Sequence, residues 1–131
     1  MQIANCMTHN PVTVSPRDTL ARAKAMMDAG RFRRLPVVEN GRLIGILTER
    51  DIRNHWGYLD STRVDAAMTA DPVTITPRIS AEDAARLMLE HKIGGLPVVE
   101  NGELVGVVST SDILRAFLSV VQATQGILSN G

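Results

Sequence analysis

Cysteine is almost missing from this sequence. Cys6 is the only one in 131 residues, so no disulfide can close within the chain, and a reducing, cytoplasmic compartment is the simpler expectation. Aromatic residues make up only 3%, so a core must rest on Val, Ile, Leu, Met and Ala. Net charge is zero, which removes any bulk electrostatic pull toward nucleic acid or an anionic membrane. No apolar run approaches the ~20 residues of a membrane span. The opening MQIANCMTHN lacks the basic stretch and apolar run of a secretory signal. No glycine-rich loop leads into Lys-Ser or Lys-Thr, and no nucleophile stands in a pattern with His and acid partners. His9, His55 and His91 share no metal-ligand spacing. The expectation is therefore no enzyme, no metal and no cofactor. The chain is also short for a regulatory module plus an output domain, so any regulatory effect is expected to reach a partner or its own oligomer.

An apolar fraction of 44% is ordinary for a globular protein. The strongest internal signal is a repeat. At one constant offset, Met7-Thr8 falls on Met68-Thr69, and Pro11-Val12-Thr13-Val14 on Pro72-Val73-Thr74-Ile75. Leu35-Pro36-Val37-Val38-Glu39-Asn40-Gly41 is identical to Leu96-Pro97-Val98-Val99-Glu100-Asn101-Gly102. Gly45 matches Gly106, and Asp51-Ile52 matches Asp112-Ile113. About 20 of roughly 46 aligned positions are identical without a gap, so one supersecondary unit occurs twice. Each copy alone would expose an apolar face that the other can cover.

Within a copy, Val12–Val14 reads as a short strand between prolines 11 and 16. Thr19 caps a helix with Leu20, Ala23 and Met27 on one face. Its counterpart is capped by Ser80, with Asp83 expected to complete a capping box. Gly30 is expected to end the first helix in the left-handed region. Leu35–Val38 and Leu43–Leu47 read as strands around the hairpin signal Asn40-Gly41. A second helix starts at Thr48 or Glu49 and runs toward Trp56. The order is β-α-β-β-α. Gly57, Asp60 and Ser61 mark the connection between copies. A longer last helix carries Ile113, Leu114, Phe117, Leu118 and Val121 on one broad face and is expected to end at Gly126, with Ser129-Asn130-Gly131 fraying. Met26, Met27 and Met88 read as core, and Trp56 and Tyr58 as packed on the connection rather than free to stack on a base.

The spaced motifs Met-Thr, Pro-Val-Thr-Val, Leu-Pro-Val-Val, Asn-Gly, Leu-Ile-Gly-Ile-Leu-Thr and Asp-Ile resemble the CBS domain, the regulatory repeat of cystathionine β-synthase, in a Bateman-type pair. The resemblance covers residues 7–56 and 68–121, leaving a linker at 57–67 and a tail at 122–131. It implies an α/β (α+β) fold of two pseudo-symmetric repeats packed through their sheets. It further implies an adenosine-containing ligand such as AMP, ADP or ATP bound without chemistry between the repeats, a homodimer of stacked pairs, and a regulated partner protein not identifiable from sequence.

The same resemblance marks site residues. Asp51 and Asp112, with Thr48 and Ser109 three residues earlier, correspond to a ribose site; Arg50 and Ser111 lie inside these motifs and differ between copies. Arg33 and Arg34 in one copy, and His91 and Lys92 in the other, precede the Leu-Pro-Val strands that carry Pro36 and Pro97, and border the phosphates. Thr13, Val14, Thr74 and Ile75 lie beside the adenine. Read from the residues alone, each hydroxyl-x-x-Asp is also an ordinary helix cap, the arginines a solvated basic loop, and the Thr-Val and Thr-Ile pairs ordinary strand residues. Arg33-Arg34 against Gly94-Gly95 makes two clefts unequal. The competing reading is a ligand-free structural or dimerisation module. Nucleic-acid binding through Arg31–Arg34 lacks a recognition helix and net positive charge.

Overall fold

A computed structural model describes residues 1–130, with side chains described through Gly126. Each repeat contributes a hairpin. In the first, β2 (Arg34–Glu39) pairs antiparallel with β3 (Arg42–Thr48); in the second, β5 (Gly95–Glu100) pairs with β6 (Glu103–Ser109). Asn40 (φ 52) with Gly41 (φ 78), and Asn101 (φ 53) with Gly102 (φ 80), turn both hairpins in the left-handed region that Asn and Gly tolerate. The registers slip at equivalent points, between Val37 and Val38 and between Val98 and Val99.

The third strand of each three-stranded layer comes from the other repeat's leading segment. β1 (Thr8–His9) pairs with β6, and β4 (Thr69–Ala70) pairs with β3. One β3–β6 pairing, Arg42 with Glu103, joins the layers into a six-stranded antiparallel sheet. The expected first strand of each repeat shrinks to a single parallel bridge, Val14 to Val37 and Ile75 to Val98. Val14 exchanges bonds with Pro36 O and Val38 N, both 3.0 Å, while the flanking prolines offer no N–H to extend the ladder.

Helices α1 (Leu20–Gly30) and α4 (Ala81–His91) cover the hairpins. Their N-caps accept from N3 as the sequence implies, Thr19 from Arg22 and Ser80 from Asp83. The expected capping box at Ser80 does not close, because Asp83 turns outward to pair with Arg86 at 2.9 Å. Complete boxes form instead at Thr48–Asp51 and Ser109–Asp112. Helix α1 stops at Gly30, but the left-handed residue is Arg31 (φ 58), as Lys92 (φ 54) is after α4. Gly30 serves a different need: the Phe32 ring folds back over it where a β-carbon would stand.

Helix α2 (Glu49–Asn54) follows β3, and α5 (Thr110–Asn130) follows β6. Helix α5 runs through Gly126 instead of ending there; one glycine costs a helix only about 1 kcal/mol. Of the tail expected to fray, Gly131 lies outside the described residues. The connection between repeats holds a short helix, α3 (Val64–Ala67), whose Val64 is fully buried in the first repeat's core. Reciprocally, Ile3 from the short 3-10 turn Ile3–Asn5 is fully buried in the second repeat's core. Met27 and Met88 are buried and Met26 partly so. Trp56 and Tyr58 depart from the packing expected of them: both stand largely in solvent, with the Lys24 ammonium 5.9 Å from the Trp56 ring centre. Among the described residues no helix is long and apolar enough to cross a membrane.

Candidate ligand cleft between the repeats

The exchange of leading segments brings the loop before β2 against the β6–α5 junction. Between them lies an open cleft of about 710 Å³, within the size range of small-molecule sites. One wall is Gly30–Arg34, Pro36 and the Asn10–Val12 segment of the first repeat. The other is Gly94, Val107, Ser109–Asp112 and Arg115 of the second.

Asp112 anchors the second wall. Its Oδ2 accepts from Ser109 N–H at 2.8 Å, its own N–H donates to Ser109 Oγ at 3.2 Å, and Arg115 reaches Oδ1 at 3.0 Å. The side chain is 12% exposed, so a carboxylate edge remains at the cleft. The start of α5 is tied to the loop before β5: Thr110 N–H and Oγ1 both donate to Gly94 O, at 2.9 and 3.2 Å.

The first wall is cationic. Arg31, Arg33 and Arg34 line it, and Asp112 is the only carboxylate among the lining residues. Arg34 is half-buried; burial, then the like charge of Arg33, lowers its pKa, and Asp112 opposes the shift. Its stem crosses Gly95 and its guanidinium passes Gly94, where a β-carbon would stand 2.8 Å from Nη2.

Of the residues expected from sequence, Arg33, Arg34, Pro36, Ser109, Ser111 and Asp112 meet in this one cleft. Val14 and Ile75 point into the cores, and Thr13 and Thr74 are exposed beside them. Thr48, Arg50, Asp51, His91, Lys92 and Pro97 occupy the pseudo-symmetric counterpart positions. There Asp51 Oδ2 accepts from Thr48 N–H at 2.8 Å and from Thr48 Oγ1 at 3.0 Å, and Asn54 stands where Arg115 does in the second repeat. Sequence reasoning missed Asn10 and Arg115. Arg115 was visible as a cation one helical turn after Asp112, and Asn10 (φ 47) as a residue suited to a left-handed turn.

A smaller recess of about 200 Å³ adjoins Asp112 and Arg115 and is lined by Met1, Asn5, Cys6, Ala116 and Ser119. The Cys6 thiol is pushed up in pKa by burial and then by the charge of Asp112, with the amino terminus opposing. Among the described residues no three His, Cys, Asp or Glu gather as metal ligands.

Comparison with known proteins bears on the family and the fold. A family model described as CBS domain matches residues 3–57 and again 64–119. The chain is 38% identical over 114 residues to CBS domain-containing protein YhcV of Bacillus subtilis, covering 85% of this chain and 81% of that one. It is 39% identical over 103 residues to the inosine-5'-monophosphate dehydrogenase of Korarchaeum cryptofilum, spanning 78% of this chain but only 21% of that enzyme. Among solved structures, a putative acetoin utilization protein (AcuB) from Vibrio cholerae superposes with a TM-score of 0.85 at 29% identity, covering 96% of each chain. CBSX2 in complex with AMP gives 0.81 at 29% identity, over 91% of this chain and 97% of that one. The CBS domain pair of protein MJ0100, in complex with 5'-methylthioadenosine and S-adenosyl-L-methionine, gives 0.83 at 25% identity, over 89% and 99%.

Proposed function

The chain belongs to the CBS domain family, and on that footing we propose that it is a regulatory module that binds an adenosine-containing nucleotide in the cleft between its two repeats. The observation that carries this is one cavity with a carboxylate on one wall and, on the other, guanidinium groups that form no ion pair among the described residues, each wall from a different repeat. A carboxylate accepts from both vicinal ribose hydroxyls; arginine forks and the first turn of a helix take phosphate oxygens. Here Asp112 is the ribose acceptor, Arg31, Arg33 and Arg34 face the phosphates, and Val12, Pro36 and Val107 offer apolar surface to the base. That CBSX2 takes AMP and the MJ0100 pair takes adenosyl compounds supports the ligand class.

The reading is of binding without chemistry. On the second wall Ser109 Oγ accepts from the Asp112 N–H and Thr110 Oγ1 donates to Gly94 O, which leaves Ser111 as the wall's hydroxyl open to a ligand. A ligand touching both repeats favours one arrangement of them over another, and a cytoplasmic partner protein senses the shift in population. The exposed apolar residues of α5, Leu114, Phe117, Leu118 and Val120, supply a surface for homodimerisation.

Calorimetric titration with AMP, ADP, ATP, NAD and S-adenosylmethionine tests the function. Micromolar binding of an adenine nucleotide, about 8 kcal/mol, is expected. Absence of heat and of any thermal shift at millimolar ligand would leave a structural or dimerisation module, with the aspartates as helix caps only.

A further inference from the structure

The cleft holds more positive charge than its own residues neutralise. Arg17, Arg53, Arg63, Arg78 and Arg86 each hold a carboxylate. Like Arg42 and Arg50, Arg31, Arg33 and Arg34 form no ion pair among the described residues, but these three stand within four residues of one another at the entry to β2. The single acidic lining group, Asp112, is engaged by Arg115 at 3.0 Å. Three guanidinium groups therefore remain uncompensated at one end of the cleft. Arg34 is also half-buried, and a partly desolvated cation is costly until an anion reaches it.

The excess has a size that can be matched to ligands. A terminal phosphate carries about −2 at neutral pH, and each further phosphoryl group adds about one more negative charge. A monophosphate leaves part of the excess of three unanswered, whereas a diphosphate or triphosphate answers all of it. We propose that this cleft selects nucleoside di- and triphosphates over the monophosphate and the free nucleoside, with Arg31, Arg33 and Arg34 holding the outer phosphates. This deepens the nucleotide-binding reading and rests on it.

Gly95 is the positioning residue for this charge cluster. It lets the Arg34 stem lie flat: a β-carbon there would come within 2.5 Å of Arg34 Cδ and 2.7 Å of Nε. The pseudo-symmetric positions hold a more balanced set: Lys92 and Arg50 stand where Arg31 and Ser111 do, but Gly94 and Gly95 replace Arg33 and Arg34, and Glu49 and Asp71 replace Thr110 and Asn10, so no excess of three cations gathers there. One polyphosphate per chain follows.

The test is calorimetric titration of ATP, ADP, AMP and adenosine in metal-free, low-salt buffer. It uses the wild-type chain, an Arg33→Ala/Arg34→Ala double variant, and Gly95→Ala, which keeps every charge but displaces Arg34. ADP and ATP are expected to bind wild type about tenfold or more tightly than AMP, the factor one charged hydrogen bond supplies. The double variant should flatten that ladder while adenosine binds as before, and Gly95→Ala should narrow the gap between ATP and AMP. AMP binding wild type as tightly as ADP and ATP overturns the inference and leaves the nucleotide reading intact. A ladder unchanged in the double variant also overturns it. If none of the four ligands binds wild type, both readings fall. The wild-type ladder decides by itself if a variant fails to fold.

Discussion

Arg34 lies across Gly95, its own counterpart in the second repeat, with room for no β-carbon between Gly95 and the arginine's Cδ. The pseudo-two-fold brings equivalent positions together, so only one of them can carry a long side chain. Gly95→Arg would restore sequence symmetry and place two guanidinium stems in one space. A loss of about 1–3 kcal/mol is expected, measured as a lower midpoint in urea unfolding. An unchanged midpoint would mean that the two stems can part without strain.

Two other glycines should behave as a matched pair. A β-carbon on Gly45 would stand 2.5 Å from Met68 Sδ and 2.8 Å from Thr69 O; on Gly106 it would stand 2.6 Å from Met7 Sδ and 2.8 Å from Thr8 O. The sulfur can swing aside, but the carbonyl belongs to the strand that crosses over from the other repeat. Gly45→Ala and Gly106→Ala should each cost about 1–3 kcal/mol in urea unfolding, by similar amounts. A loss at only one site would show that one crossover is looser than the other.

The repeat, its hairpins and its helix starts were legible because each is written in local residues: Asn-Gly turns, hydroxyl caps and helical spacing of Leu20, Ala23 and Met27. Long-range pairing is not written that way. Nothing near Thr8 says that it pairs with Val107, nor near Thr69 that it pairs with Ile46. The cleft is a product of that exchange, so Arg33 and Asp112 could be singled out separately while their meeting could only be inferred from resemblance. Smaller misses have local causes. Phe32 decides why residue 30 is glycine, and a non-glycine, Arg31, takes the left-handed cap. Asp83 has an arginine one turn away that competes for its carboxylate.

Cys6 offers a reporter beside Asp112. Burial and then the Asp112 charge disfavour its thiolate, so alkylation should show a pH midpoint above the ordinary cysteine range. Asp112→Asn should lower that midpoint while leaving the burial in place. The sign for stability follows: at alkaline pH the unfolded chain releases this proton before the folded one, so stability falls as pH rises from the unfolded thiol's pKa through the folded one. A midpoint unmoved by Asp112→Asn would remove Asp112 from the account of this thiol.

The apolar face of α5 should govern association. Phe117 is 61% exposed and Leu118 53%. Light scattering is expected to give a dimer for wild type and a monomer for Phe117→Glu/Leu118→Glu, since one charge in an interface core costs more than a rim contact returns. A wild-type monomer, or a dimer indifferent to both substitutions, would place the interface elsewhere or nowhere.

Asp51 and Asp112 make the same cap bond to the backbone, 2.8 Å in each case, but of the two it is Asp112 that lines the cleft beside Arg31, Arg33 and Arg34. Asp51→Ala is therefore the natural control for Asp112→Ala, as each should lose about 1 kcal/mol of capping stability. The direct test is calorimetric titration of ADP into both variants and the wild type. One ADP per chain is predicted, with affinity falling about tenfold or more in Asp112→Ala and little changed in Asp51→Ala. Equal, small losses in the two variants would contradict the assignment and reduce both aspartates to helix caps.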